Sequence, residues 1–356
     1  MTDHAPVVAA SRRSPYKGKP ARTYWIKSVH GQTIDQIPDL YVKKFDISPK
    51  WNIATAGSCF AQHIARHLRK NGYTVLDTEP MPPGVDVEEA RKLQYGVYSA
   101  RFGNIYYVRQ LLQLAREAIQ GVTPGEVVWE RDGRFFDALR PSVNPNGFDS
   151  AELVLAHRKF HLDAVRRLLH SADVFVFTMG LTEGWELLSD GTVFPTAPGT
   201  LAGDFDPSKY GFRNFSYAEI VQDFMEFRSL LKQLRPEVKF ILTVSPVPLA
   251  ATATDEHVLT ATTYSKAILR AAAGDIARSC EDVDYFPSFE IITANYIPNS
   301  SFNESAREVK DDAVGRVMSY FFSQHPVAVA SKSGEQPEES AEQLFCEDAL
   351  LEVFAR

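Results

Sequence analysis

Apolar residues along the chain follow two rhythms. Val174-Phe175-Val176-Phe177, Phe240-Ile241-Leu242-Thr243-Val244 and, more weakly, Ile53 to Ala56 are near-continuous apolar runs. Such runs fit strands buried on both faces, as in a parallel sheet covered by helices. With their flanks and two further segments they predict five strands, over residues 51–56, 73–77, 173–179, 239–244 and 283–286. Between them the apolar positions recur with helical period. Phe60, Ile64 and Leu68 stand four apart on one face, and Asn71-Gly72 supplies a left-handed stop. The same rhythm predicts helices over 105–120, 150–169, 217–234, 258–279 and 311–322. Arg131-Asp132-Gly133-Arg134 and Ser189-Asp190-Gly191-Thr192 predict two hairpin excursions.

Helix and strand patterns in alternation give an open α/β sandwich, flavodoxin-like in kind, whose ligands bind beyond the carboxyl ends of the strands. Residues 1–22, rich in Pro, Ser, Ala, Arg and Lys, read as a mobile N-terminal arm, and 23–329 as a single α/β domain. Residues 330–356 read as an acidic linker and C-terminal tail. The linker, 330–343, is too polar to pack, whereas 344–354 is apolar enough to dock as a short helix.

Composition narrows the class. With 44% hydrophobic and 23% charged residues the chain is an ordinary globular protein. A net charge of -7 argues against nucleic acid or an anionic membrane as main partner. Its three cysteines, Cys59, Cys280 and Cys346, are far apart without a CxxC, which fits a reducing compartment and makes a zinc site unexpected. No apolar run reaches the roughly 20 residues of a membrane span, and the N-terminus lacks a signal peptide's apolar core. The expected location is cytoplasmic.

Four loops after strands carry chemistry. In Gly57-Ser58-Cys59, a cysteine in the first turn of a helix gains thiolate character from the dipole. The plainer reading makes Ser58 an N-cap and Cys59 a small core residue. Gly180-Leu181-Thr182-Glu183-Gly184-Trp185 offers a hydroxyl and a carboxylate beside an indole, or else a cap and a solvated side chain. Ser245-Pro246-Val247-Pro248-Leu249 leads through Thr252 to His257, a candidate base at the start of a helix or else a surface histidine. Phe286-Pro287-Ser288-Phe289-Glu290 ends on a carboxylate that either orients a base or is structural. His63/His67 and His157/His161 stand four apart, but without the HExxH glutamate they read as polar helix faces. GxxxxGK[ST], GxGxxG and GxSxG are all absent.

The run Gly57-Ser58-Cys59-Phe60-Ala61 resembles the motif that names the GSCFA family, which is similar to the SGNH (GDSL-like) hydrolase superfamily. Further stretches carry the resemblance over about residues 25–322. They are Gly103-Asn104-Ile105-Tyr106 with Gln110 to Leu114, Gly180-Leu181-Thr182-Glu183 with Trp185, and Pro195 through Gly199. Next come Ser245-Pro246-Val247-Pro248 with Ala251-Thr252, then His257-Val258-Leu259 with Tyr264-Ser265-Lys266, and Tyr285 through Glu290. It implies a three-layer α/β/α sandwich on the mainly parallel five-stranded sheet, and acyl chemistry on an ester of a glycan or small hydroxylated substrate. Laid on the Gly-Asp-Ser turn of that superfamily, Ser58 falls at the aspartate and Cys59 at the nucleophilic serine. Gly103, with Asn104, resembles the oxyanion glycine. Gly180 matches the third block's glycine, with Thr182-Glu183 where Asn-Asp is usual. The late Asp-x-x-His has no counterpart in Glu304-Ser305-Ala306-Arg307-Glu308-Val309, and His325 is a distant substitute.

The resulting expectation is an esterase or O-acyltransferase. Cys59, or else Ser58, attacks; His257 relays the proton; Glu183 or Glu290 orients the imidazole. Gly103, Asn104, Gly180, Thr182 and Ser245 serve the oxyanion or substrate. No permanently bound cofactor is implied, and an acyl thioester is a candidate donor. The competing expectation is a non-catalytic module binding a sugar or acyl ligand in the same cleft.

Overall fold

The computed structural model describes residues 14–297, 301–327 and 350–351. Its strands are β1 (Ile53–Gly57), β2 (Val128–Arg131), β3 (Arg134–Asp137), β4 (Val174–Met179), β5 (Glu183–Leu187), β6 (Val193–Phe194), β7 (Tyr210–Asn214), β8 (Lys239–Val244) and β9 (Val283–Tyr285). The helices are α1 (Trp25–Ser28), α2 (Cys59–Lys70), α3 (Val87–Lys92), α4 (Val108–Gln120) and α5 (Ala151–Ser171). They continue with α6 (Tyr217–Leu234), α7 (Val258–Ser279), α8 (Ser288–Thr293) and α9 (Asp311–Gln324).

The central sheet is parallel in the order β1-β4-β8-β9. The fifth expected strand is reduced to one parallel bridge, Val75 to Ile53. Its neighbours bond elsewhere: the Thr74 amide donates to Pro49 O (3.0 Å) and the Thr78 amide to Ser99 O (2.9 Å), so no ladder extends along β1. Counted with that bridge, the spatial order is the flavodoxin-like 2-1-3-4-5, and the strand order reverses between β1 and β4.

Alternation along the strands sorts the side chains into two cores. Ala54, Ala56, Phe175, Phe177, Phe240, Leu242 and Val244 share one core with Leu111, Val165, Phe224, Phe227 and Leu269 of α4 to α7. Ile53, Val174, Val176 and Ile241 share the other with Phe60, Ile64 and Leu68 of α2, Ile291 of α8 and Val314 and Val317 of α9. Strands with apolar residues on both faces require helices on both faces, and the three layers follow.

Helices α6 and α7 match the expected bounds, and α6 opens on a full capping box between Ser216 and Glu219. Helix α4 starts at Val108 rather than 105, because the preceding residues bond across the fold. The Ile105 amide donates to Gly57 O (2.9 Å), and the Gly180 and Leu181 amides both donate to Tyr106 O (3.1 and 3.0 Å). Both Asp-Gly hairpins form, β2–β3 and β5–β6, with Asp132 and Gly133 at φ 52° and 71°. The segment after Gly180, read as a loop, continues at Glu183 into β5, the middle strand of an antiparallel sheet β6-β5-β7.

Of the arm at 1–22, residues 1–13 lie outside the described residues, as do the acidic linker at 330–343 and Cys346. Of the apolar stretch at 344–354 only Leu350 and Leu351 are described.

Candidate active site

Strand β1 ends at Gly57, whose φ of 145° disfavours any other residue. A Cβ there would lie 2.5 Å from Thr178 O and 2.7 Å from Thr178 Cβ on the neighbouring strand. Ser58 follows as the N-cap residue of α2, only 3% exposed. Its side chain makes no cap hydrogen bond, and its buried Oγ has no partner among the described residues. The Ser58 carbonyl takes part in the helix instead, accepting from the Ala61 amide (2.8 Å). A hydroxyl serving only as a cap would bond N2 or N3. Leaving a buried hydroxyl unpaired costs about 1–3 kcal/mol, so the arrangement favours a ligand that pairs with it. Cys59 is the first residue of α2 and equally buried.

Ser58 and Cys59 line a small cleft of about 220 Å³ together with Gly180, Ser245, Tyr106, Leu181, Val247 and Pro248. It lies past the carboxyl ends of β1, β4 and β8, at the switch in strand order. Gly180 is needed for closeness: a Cβ on it would stand 3.0 Å from Ser58 Cβ and 3.1 Å from Tyr106 O. The Ser245 amide donates to Met179 O (2.8 Å), and Ser245 Oγ accepts from the Val247 amide (3.3 Å).

The cleft is braced from behind. In α7, buried Lys266 donates through Nζ to Gly180 O (2.7 Å), and Ser265 Oγ accepts from the Thr182 amide (3.1 Å). Tyr98 OH donates to Asn104 Oδ1 (2.5 Å) and lies 3.3 Å from Ser58 O. Gln110 accepts from the Tyr106 amide and donates to Asn104 O, both at 2.9 Å, and Gly103 takes φ 69°. Sequence reasoning quoted Tyr264-Ser265-Lys266 and Gln110 as motif residues without a role. Ser265 and Lys266 act on backbone 83 and 86 residues away, a relation local spacing does not reveal, whereas Gln110 bonds the loop four and six residues before it.

A buried ionic network supports this segment in turn. Glu79 accepts from the Arg101 amide (2.9 Å) and pairs with His161 Nδ1 (2.7 Å), while Arg140 donates to Arg101 O (2.9 Å). Arg158 bridges Glu117 and Asp137 beside them. Burial pushes His161 down to about 4, Arg140 adding to the effect and Glu79 opposing it. Burial alone would raise Glu79, but His161 and Arg140 outweigh it and hold the carboxyl at about 2. The reading of His63 and His161 as polar helix faces is therefore corrected: they are 4% and 1% exposed. His63 packs against Phe60 on the inner side of α2, where burial drives it down to about 3, and His161 packs against Phe102 with its Nδ1 on Glu79.

Several expected site residues lie elsewhere. His257 caps α7, its Nδ1 accepting from the Leu259 amide (3.2 Å); it is exposed and does not line the cleft. That geometry does not fit the base expected of it, because the cap turns the ring toward its own helix. Glu290 is held by Arg270 and accepts from Tyr285 OH (2.8 Å), so it orients no imidazole. Glu183 accepts from Thr252 Oγ1 and the Ala253 amide, on an adjoining cleft. Thr182 is fully buried with Oγ1 unpartnered, outside the cleft lining. Neither Gly103 nor Asn104 lines it. His325 sits in the far core with its Nε2 3.1 Å from Tyr41 OH, which donates to Asp284 (2.8 Å). The loop without Asp-x-x-His does approach the cleft: Arg307 Nη2 donates to Pro248 O (3.4 Å). Among the described residues no cluster of three or more His, Cys, Asp or Glu is placed to hold a metal ion, and no helix is long and apolar enough to cross a membrane.

The sequence model of the GSCFA family matches residues 52–321, which contain both the turn and every element around the cleft. The chain belongs to the GSCFA family. Comparison of this GSCFA chain with curated proteins finds no match. Among solved structures it is similar to a family 3 carbohydrate esterase of Clostridium thermocellum, at 8% identity and a TM-score of 0.28, over 77% of this chain and 94% of that one. A family 3 carbohydrate esterase of Talaromyces cellulolyticus gives 11% and 0.24, over 60% and 87%. An acetyl esterase mutant bearing an acetate ion gives 12% and 0.24, over 44% of this chain and 62% of that one. The GSCFA chain thus spans less than two thirds of the acetyl esterase's length.

Proposed function

We propose that this GSCFA protein is an acyl-transfer enzyme, an esterase or O-acyltransferase acting on a glycan or small hydroxylated substrate. The observation that carries the reading is the unpartnered, buried Ser58 hydroxyl beside the Cys59 thiol, in a cleft at the strand-order switch. In the first step the nucleophile bonds to the acyl carbon, the bond from that carbon to the leaving group breaks, and the nucleophile's proton passes to that leaving group. In the second, water or an acceptor hydroxyl displaces the acyl group, and the nucleophile regains a proton. Backbone amides at the start of α2 face developing negative charge. Among the described residues no histidine lines the cleft, which favours Cys59 over Ser58, since a thiol needs less help from a base than a hydroxyl does. A thioester intermediate suits transfer from an acyl thioester donor to an alcohol.

Incubation with p-nitrophenyl acetate followed by intact-mass measurement tests this. An acetyl adduct lost in Cys59→Ala assigns that residue, and one lost only in Ser58→Ala assigns its neighbour. An adduct surviving in both variants sinks the assignment.

The absence of a cleft histidine also favours a second reading, a non-catalytic module holding a sugar or acyl ligand. Wild-type protein that forms no adduct and releases no p-nitrophenol, yet binds a ligand, would establish it.

A further inference from the structure

Next to the nucleophile cleft, and sharing Tyr106 and Leu181 with it, opens a larger one of about 680 Å³. Half-buried Trp185 and Phe212 line it, with Tyr106 and Tyr107 buried behind and Leu181, Leu249 and Leu351 as aliphatic neighbours. The rings are set in place before any ligand arrives. Trp185 is met edge-on by Phe205 and Phe212, with ring centres 5.1 and 5.7 Å apart. Tyr107 lies flat against β5 because Gly184 has no side chain; a Cβ there would fall 2.8 Å from the ring. Its hydroxyl donates to Pro195 O (3.2 Å).

Among the described residues lining this cleft, Glu183 is the one that carries a charge. Its carboxylate is held by Thr252 Oγ1 (2.8 and 3.0 Å) and the Ala253 amide (3.2 Å). A carboxylate has about four acceptor sites, so it retains capacity for a further donor. The ligand must therefore present an apolar face to aromatic rings and a hydroxyl to a fixed acceptor, without negative charge. A fatty acyl chain offers no donor and would desolvate the carboxylate at a cost. A neutral pyranose ring has both features: C–H bonds across one face and hydroxyls around the rim.

We infer that this cleft is a sugar subsite, seating a neutral pyranose on the Trp185–Phe212 wall with a ring hydroxyl donating to Glu183. It names the glycan in the proposed acyl-transfer reading and rests on that reading for the sugar's role, though not for its binding.

Calorimetric titration of the full chain with neutral xylohexaose, cellohexaose and N-acetylchitohexaose tests it without needing turnover. At least one should bind the wild type saturably. Trp185→Ala should weaken that affinity by about tenfold or more, as loss of a central aromatic contact does. Trp185→Phe should restore most of it, with unchanged thermal unfolding excluding collapse of the fold. Glu183→Gln should weaken it as well. No binding by any of the three sugars, or equal affinity in Trp185→Ala, overturns the inference. Decanoate binding that depends on Trp185, in place of sugar binding, overturns it in favour of an acyl site. Sugar binding with no acetyl adduct would refute the acyl chemistry while leaving the subsite standing.

Discussion

Replacing Gly57 with alanine puts a single methyl group where β1 and β4 run closest. Two costs follow. The backbone at φ 145° lies in a region that L side chains rarely adopt, worth roughly 1–3 kcal/mol of strain. The methyl would also stand 2.5 Å from Thr178 O, which is sheet backbone and has nowhere to retreat. Forcing an extra carbon into a packed core costs a further ~1–3 kcal/mol. Gly57→Ala should therefore lose about 2–6 kcal/mol, read as a fall in the urea midpoint at unchanged slope. Adding Thr178→Ala should recover only a minor part, because the carbonyl clash persists. Gly315→Ala in α9 is the control: nothing lies within 4 Å of the added Cβ, and a gain of about 0.5–1 kcal/mol is expected from helix propensity. A Gly57→Ala protein within about 1 kcal/mol of wild type would refute the close approach of the two strands and the turn geometry built on it.

Further outcomes follow from the buried charges. His63 titrates near 6.5 when unfolded and near 3 when folded, so the unfolded state binds the extra proton and stability falls as pH drops from 6.5 toward 3. His63→Leu removes this penalty; between about pH 7 and about pH 5 its stability relative to wild type should improve by about 2 kcal/mol, and an unchanged gap in paired urea titrations would contradict it. Arg158→Met takes the guanidinium from the Glu117 carboxylate, 8% exposed, while Asp137, 3% exposed, keeps Arg140 (2.8 Å). It should cost about 3–5 kcal/mol in urea unfolding, and a cost within error of zero would mean the network is not formed. Lys266→Met frees the Gly180 carbonyl and should slow p-nitrophenyl acetate turnover far more than it shifts Tm. Equal activity at equal stability would show that the clamp on Gly180 does nothing for the site.

What the chain determines by itself is local. Near-continuous apolar runs in Val174 to Phe177 and Phe240 to Val244, and period-3.6 patterning in Tyr217 to Leu234 and Val258 to Ser279, specify which residues are strand and helix, because burial on two faces or one leaves its mark on neighbouring positions. Asp132-Gly133 and Asp190-Gly191 specify their hairpins through backbone freedom alone. The turn at Gly57-Ser58-Cys59 is legible for the same reason, a strand breaking into a helix at a glycine. What surrounds that turn is a tertiary matter. Gly180 and Ser245 reach it only because β4 lies beside β1 and β8 beside β4, Tyr106 because Ile105 bonds Gly57, and the 73–77 segment shrinks to one bridge because Pro49 and Ser99 take the amides of Thr74 and Thr78. Histidines divide most sharply. His257 follows a strand-end loop in the sequence yet spends its Nδ1 on its own helix cap in open solvent. His161 sits in an unremarkable helical pattern yet is buried against Glu79, 82 residues away. Side-chain direction and long-range partners decide whether an imidazole can serve a reaction, and neither is encoded in the spacing of residues along the chain.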